Sequence, residues 1–113
     1  MAVTTIRSQV AFARALQGPK PLVVMWSGKQ WCQHCNVMEP IFAEYADALP
    51  NVTFLCVDEA SGATFASLAP QWLTERDGLP TFMVIKNGKR VAKRGGSMSN
   101  AAFARWIEGA LAR

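Results

Sequence analysis

The sequence predicts one α/β domain over residues 1–113, with elements in the order βαβαβαββα and a central mixed sheet that helices cover on both faces. Three observations predict it. Leu22 to Trp26 is a continuous apolar run, typical of a central strand buried on both faces. Segments with helical spacing alternate with strand-like runs. Asn87-Gly88 separates two strand-like runs, which is the strongest hairpin pattern in the chain.

The first elements follow from local patterns. Val3 to Ile6 is predicted to be a short strand. Ser8 is a plausible N-cap for a helix that runs to about Gln17. Its apolar face is modest, with Phe12 as the largest contributor, and the other positions predicted on it are Val10, Ala13 or Arg14, and Leu16 or Gln17.

A second helix is predicted from Gln33 to about Leu49. Pro40 interrupts its hydrogen-bond ladder, so we expect a bend there. The strand Val52 to Val57 follows and ends at Asp58. The apolar positions of the helix recur at helical spacing: Val37, Ile41, Phe42, Tyr45, Ala48 and Leu49.

The second half of the chain continues the alternation. Ser61 to about Trp72 is predicted to be a helix, and Trp72 either covers the core, which we favour, or borders the active site. Thr81 to Ile85 and Arg90 to Lys93 form the hairpin strands. Ser99 caps a last helix whose apolar face consists of Phe103, Trp106, Ile107, Ala110 and Leu111.

The composition is that of a compact globular chain. It has 113 residues, half of them hydrophobic, and a formal charge of +4. Leu22 to Trp26 is far shorter than the roughly 20 apolar residues that span a bilayer, so we expect no membrane partner. The N-terminus lacks a leader pattern. We expect a cytoplasmic monomer, or a periplasmic one if a leader has been removed.

Basic residues cluster around the predicted hairpin. Clustered lysine and arginine can bind nucleic acid, but aromatic residues are not interleaved with them. Lysines on an exposed edge strand also prevent edge-to-edge pairing. We prefer this second interpretation and expect no nucleic-acid partner. The residues concerned are Lys86, Lys89, Arg90, Lys93 and Arg94.

Two cysteines three positions apart lie between the central strand and the second helix, in the stretch Trp31-Cys32-Gln33-His34-Cys35. The first helical turn brings such a pair within the Cα separation of about 4.4 to 6.8 Å that a disulfide needs. A helix N-terminus stabilises a thiolate and lowers its pKa. We therefore expect Cys32 to be the exposed nucleophile and Cys35, more enclosed, to resolve the mixed disulfide. His34, if protonated, adds positive charge and makes the pair more oxidising.

The alternative for this pair is a metal site. Zinc needs about four ligands, whereas the chain offers one histidine, His34, and one further cysteine, Cys56, so we expect no metal. Cys56 lies in an apolar run, where it is either a buried small hydrophobe, which we favour, or a regulatory thiol.

Several motifs together resemble the thioredoxin superfamily over nearly the whole sequence. They are Trp31 to Cys35 followed by Pro40, Gly78-Leu79-Pro80-Thr81-Phe82, Lys86-Asn87-Gly88, and Gly96 before the last helix. The resemblance implies the thioredoxin fold and a protein-disulfide oxidoreductase without a cofactor. Its partners would be protein thiols and disulfides, with a reductase or an oxidant that recycles the dithiol.

The resemblance also implies roles for residues outside the cysteine pair. Pro80 would be cis and lie against the disulfide, the backbone of Leu79 would bind an extended substrate, and Thr81 would follow it. Trp31, Leu79 and Gly96 would line a shallow apolar groove. Histidine at the position of His34 is typical of disulfide isomerases and disulfide-forming enzymes, which supports a tuning role.

Two positions depart from the family pattern. Thioredoxins usually bury an acid on the strand before the motif, but Val24 occupies the matching position here. The lysine that often accompanies that acid is replaced by Phe54. Deprotonation of Cys35 would then depend on water, on His34 or on an unidentified residue. A slow resolving step or a narrow substrate range would follow.

Two other functions are compatible with these residues. The fold could be a binding module in which the cysteine pair is structural, or it could be the dedicated partner of a single pathway. Activity on a general disulfide substrate distinguishes both from a general oxidoreductase.

Overall fold

The computed structural model describes residues 3–28, 32–58 and 79–113. The predicted helix from Ser61 to Trp72 and the side chain of Trp31 lie outside these ranges. The described elements are β1 (Val3–Ile6), α1 (Gln9–Leu16), β2 (Leu22–Ser27), α2 (Gln33–Ala48), β3 (Thr53–Asp58), β4 (Thr81–Lys86), β5 (Lys89–Gly95) and α3 (Asn100–Leu111).

A five-stranded mixed sheet has the order β1-β3-β2-β4-β5. Strands β1, β3 and β2 are parallel, whereas β4 and β5 pair antiparallel. Every residue of β2 is buried, because β2 lies between two strands and under helices. The predicted central strand and the mixed sheet are therefore confirmed.

Two apolar clusters fill the two faces of the sheet. On one face Phe12 of α1 packs with Trp26 of β2, their ring centroids 5.9 Å apart. On the other face α2 and α3 meet around Phe42 and Phe103, which both contact Phe82 of β4. Helices thus cover both faces, as the sequence predicts.

The helix starts follow the predicted capping residues. The Ser8 hydroxyl accepts the N–H of Ala11 at 3.1 Å, and the Ser99 hydroxyl accepts the N–H of Ala102 at 3.1 Å. Pro40 lies inside α2.

The inner faces of α1 and α2 differ from the prediction. Val10 is 61% exposed and Val37 is 56% exposed, and Ala48 is also exposed. In α1, Phe12 faces the sheet, and Val10 lies on another side of the helix. In α2 the sheet covers Cys35, Met38, Phe42 and Ala46, a three-to-four spacing that excludes Val37 and Ala48.

The hairpin extends beyond its predicted bounds. Both turn residues have positive φ, 54° at Asn87 and 75° at Gly88, which suits a tight hairpin with right-handed twist. β5 runs from Lys89 to Gly95 rather than from Arg90 to Lys93, because β4 offers pairing partners along its whole length. The extra pairs involve polar and glycine residues, which an apolar pattern does not reveal.

Candidate functional site

The cysteine pair lies where β2 leads into α2. Cys32 and Cys35 form a disulfide with Cα atoms 5.3 Å apart. Cys32 is the N-cap of α2, and its N–H donates to the carbonyl of Gly28 at 2.9 Å. The end of the strand and the start of the helix are thereby joined, which holds the pair at the helix N-terminus.

The sulfur of Cys32 takes the role that a serine hydroxyl has at an ordinary N-cap. Its Sγ accepts the N–H of Cys35 at 3.1 Å. A negative charge on that sulfur after reduction would keep this bond and would also face the positive end of the α2 dipole. The first turn of α2 contains no acidic residue to oppose the charge.

The two cysteines differ in exposure in the expected order, but Cys32 is less open than expected. Cys32 is 7% exposed and Cys35 is fully buried. The expectation of a well-exposed Cys32 is corrected here. Its side chain turns inward to accept the Cys35 N–H, and the bond to Gly28 holds its backbone against the end of β2.

His34 lies on the outer side of the first turn of α2. The residue is exposed, and its Nδ1 is 3.4 Å from the hydroxyl of Ser97. Sequence reasoning missed Ser97. Its position directly after Gly96, which the family pattern singles out, was the available signal.

The segment around Pro80 contacts the loop after β5. The Leu79–Pro80 peptide bond is cis, and the Pro80 carbonyl accepts the N–H of Gly96 at 2.9 Å. Gly96 has φ +87°, a backbone conformation that favours glycine. Leu79 is half-buried against the apolar cluster that contains Phe12 and Trp26, and the Thr81 side chain is fully buried.

The residues Gly96 to Met98 connect the separate parts of this region. Gly96 bonds to Pro80, Ser97 lies beside His34, and the N–H of Met98 donates to the sulfur of Met38 at 3.2 Å. Met98 is buried, so the segment is anchored in the core at one end. The predicted residues His34, Pro80 and Gly96 are therefore brought into one connected region.

A family model described as Thioredoxin matches residues 3–109. This chain belongs to the thioredoxin family. Similar curated proteins include a Thioredoxin H-type from Ricinus communis, 42% identical over 74 residues, and Thioredoxin H1 from Arabidopsis thaliana, 40% identical over 74 residues. These matches cover 66% of this chain but only 58% and 60% of the two relatives' lengths.

Solved thioredoxin structures share the fold. The poplar thioredoxin h PtTrxh4 superposes with a TM-score of 0.79 at 22% identity, over 98% of this chain and 97% of that one. Oxidised mitochondrial thioredoxin 3 from Saccharomyces cerevisiae gives 0.73 at 23% identity, over 95% and 94%. At these identities the likeness establishes the thioredoxin fold alone.

The two departures from the thioredoxin pattern are apolar core positions. Val24 is fully buried in the apolar cluster on the α1 side of the sheet, and its register partners are Leu55 and Met83. Phe54 is fully buried on the opposite face, against Phe42. Apolar packing therefore fills the places where the family usually has an acid and a lysine.

Two further residues singled out in the sequence, Cys56 and Lys86, have contacts typical of a structural role. Cys56 is buried on β3, in register with Thr5 and Met25. The Lys86 ammonium donates to the carbonyls of Leu111 at 2.9 Å and Arg113 at 2.6 Å, so one residue of the basic cluster binds the end of α3.

Residues 3–28, 32–58 and 79–113 contain neither a cluster of side chains that could hold a metal ion nor a helix that could span a membrane. Their histidines, cysteines and acids do not form a group of three or more that could hold a metal ion. Their helices are too short or too polar to cross a membrane.

Proposed function

We propose that this chain is a thiol–disulfide oxidoreductase that exchanges disulfides with protein substrates. The observation that carries the proposal is the N-cap geometry of Cys32: its sulfur accepts the Cys35 N–H at 3.1 Å while bonded to Cys35. This arrangement stabilises a thiolate at Cys32 and keeps the second sulfur within bonding reach. Membership of the thioredoxin family supports the same reaction.

The reaction needs only the two sulfurs. The Cys32 thiolate attacks a substrate disulfide, forms a mixed disulfide and releases one substrate sulfur as a thiolate. The Cys35 thiolate then attacks Cys32, which forms the internal disulfide and releases the second substrate sulfur. The substrate gains two electrons and the cysteine pair loses them. A separate reductase or oxidant resets the pair, and no metal or organic cofactor takes part.

We assign substrate docking to a groove that Trp31, Leu79, Pro80 and Gly96 would line. Its described part is supported by the bond between Gly96 and Pro80. Thr81 is fully buried and in register with Trp26 and Gly95, so it supports Pro80 from within the sheet. Within this segment the half-buried Leu79 is the residue whose backbone an extended substrate would pair with through hydrogen bonds.

We assign the pair a more oxidising character than that of a Cys-Gly-Pro-Cys thioredoxin. His34 is exposed in the first turn of α2, close to the nucleophile in sequence. Positive charge there stabilises the dithiol form relative to the disulfide, because only the dithiol form has a thiolate.

Reduction of insulin by dithiothreitol tests the function. The wild-type chain should accelerate insulin precipitation, and Cys32→Ser should match the uncatalysed rate. Cys56→Ala is the matched control: it also removes one sulfur, but from the core, and should keep the activity. A wild type that gives the uncatalysed rate would overturn the proposal.

The second candidate is a dedicated partner of a single pathway. The apolar residues at positions 24 and 54 favour it, because they remove the usual means of deprotonating the resolving cysteine. This candidate predicts weak activity on insulin and tight trapping of one protein by Cys35→Ser. Trapping of many proteins by that variant would exclude it.

A further inference from the structure

Ser97 has an exposed side chain on a backbone that is held on both sides. The N–H of Gly96 donates to the Pro80 carbonyl at 2.9 Å, and the N–H of Met98 donates to the Met38 sulfur at 3.2 Å. Met98 is also buried in the core. Because both neighbours of Ser97 are anchored, its Cα has a fixed position. Its hydroxyl is one rotatable bond beyond the backbone and can occupy only a few positions.

Helix α2 contacts the segment Gly96 to Met98 at two points, one helical turn apart. His34 and Met38 are four residues apart, so their side chains lie on the same face of α2. Met38 accepts the N–H of Met98, and the His34 Nδ1 lies 3.4 Å from the Ser97 Oγ. Neighbouring residues of the segment thus meet neighbouring positions of the helix. The packing that anchors Met98 therefore also brings Ser97 to His34.

The Ser97 hydroxyl suits both protonation states of an imidazole. A hydroxyl can donate a hydrogen bond or accept one. An imidazole Nδ1 accepts when it carries no proton and donates when it carries one. The contact with His34 can therefore persist when the ring gains or loses its charge, whereas a carbonyl oxygen in the same place could only accept.

We propose that Ser97 is a positioning residue for His34, a role that rests on the exchange activity and on the effect of His34 proposed above. An exposed histidine without a partner changes rotamer freely, and its ring then spends much of the time in open water, which screens its charge. The Ser97 hydroxyl holds the ring against the segment that is bonded to Pro80. When the ring is protonated, its charge stays at the first turn of α2, near Cys32, and stabilises the thiolate more.

The redox equilibrium with glutathione tests this role. Ser97→Ala should favour the disulfide about two- to threefold, because one exposed hydrogen bond that orders the ring is lost. His34→Ala should favour it about tenfold, because the charge itself is lost. Ser97→Thr keeps a hydroxyl and should match wild type. Thr4→Ala is the control, since it removes an exposed hydroxyl from β1 and should leave the equilibrium unchanged.

A double-mutant cycle shows whether Ser97 acts through His34. In the His34→Ala background, Ser97→Ala should leave the equilibrium unchanged, because the group that Ser97 positions is absent. A serine that only supports the local structure would shift the equilibrium by the same factor in both backgrounds. Equal shifts in the two backgrounds would overturn the proposal.

The contact itself can be observed by nuclear magnetic resonance. His34 is the one histidine of the chain, so its ring signals need no assignment. A nuclear Overhauser effect between the ring Hε1 proton and the Ser97 β protons should be present in the wild type. The Nδ1 chemical shift should change in Ser97→Ala and stay the same in Thr4→Ala. A wild type without this Overhauser effect would overturn the proposal.

The outcomes distinguish this proposal from the proposed function. A wild type that does not accelerate insulin reduction rejects the proposed function, whereas the equilibrium of the cysteine pair still measures the effect of Ser97. A wild type that exchanges, with an unchanged equilibrium in Ser97→Ala, overturns the role of Ser97 and leaves the proposed function standing. Thermal unfolding of the oxidised variants checks that they fold.

Discussion

Cys32 caps its own helix, and the same contact prepares its chemistry. The bond from the Cys35 N–H to the Cys32 Sγ is a structural cap in the disulfide. After reduction the same N–H would stabilise a charged sulfur, and charge-assisted bonds are stronger than neutral ones. The residue that starts α2 is therefore also the one best placed to react.

His34 gives the first prediction at this scale. His34→Pro should make the redox potential more negative by about 30 mV, which is a tenfold change in the equilibrium of a two-electron couple. Proline is tolerated in the first helical turn, where the N–H lacks a helical partner, so the main change is the lost imidazole. The potential is measured against glutathione.

The control for His34→Pro is Gln33→Ala, which changes a neighbouring exposed residue without charge. It should leave the potential within a few millivolts of wild type, on the order of the measurement error. An equal or less negative potential in His34→Pro would contradict the role assigned to the imidazole.

At the scale of elements, local sequence patterns predicted most of the helix and strand boundaries. They did not predict which face of each helix is buried. Ser8 and Ser99 cap helices as predicted, because capping depends on residues close in sequence. Val10 and Val37 point away from the sheet, because spacing alone leaves more than one apolar face possible and the neighbouring elements decide which one is buried.

The cap of α3 gives a prediction at this scale. Ser99→Ala removes the acceptor of the Ala102 N–H and should lower the free energy of unfolding by about 1 kcal/mol. The midpoint of urea unfolding measures the change. Ser97→Ala, at an exposed serine two residues earlier, should shift the midpoint by less than half as much. Equal midpoints for Ser99→Ala and wild type would show that this cap is not stabilising.

At the scale of the whole molecule, the face covered by α2 and α3 holds most of the aromatic packing. The Phe42 ring lies 5.1 Å from the Phe54 ring and 6.2 Å from the Phe103 ring, so it joins β3 to both helices. The packing of α2 against the sheet fixes the position of the helix N-terminus, where Cys32 and Cys35 lie.

Phe42→Ala tests this packing. Removing a fully buried phenylalanine should cost about 3 to 5 kcal/mol, a large share of the stability of a small domain. The free energy of unfolding in denaturant measures it. Val37→Ala, at an exposed position of the same helix, should change it by less than about 0.5 kcal/mol. Similar losses in the two variants would mean that the helix face is assigned wrongly.

The sequence predicted the order of the described strands and helices and the position of the cysteine pair, since both depend on patterns within short stretches. It did not reveal that Ser97 approaches His34, that Met98 contacts Met38, or that Lys86 binds the end of α3. These contacts join residues 25 to 63 positions apart, and only the folded chain brings them together.

The bond between the Cys35 amide and the Cys32 sulfur also provides a spectroscopic probe. The chemical shift of an amide proton depends strongly on the charge of the atom that it contacts. In an isotope-labelled sample, the Cys35 amide resonance would follow ionisation of the attacking sulfur as the acidity of the solution changes. The protein thus carries its own reporter for the titration of its reactive group, with no added dye.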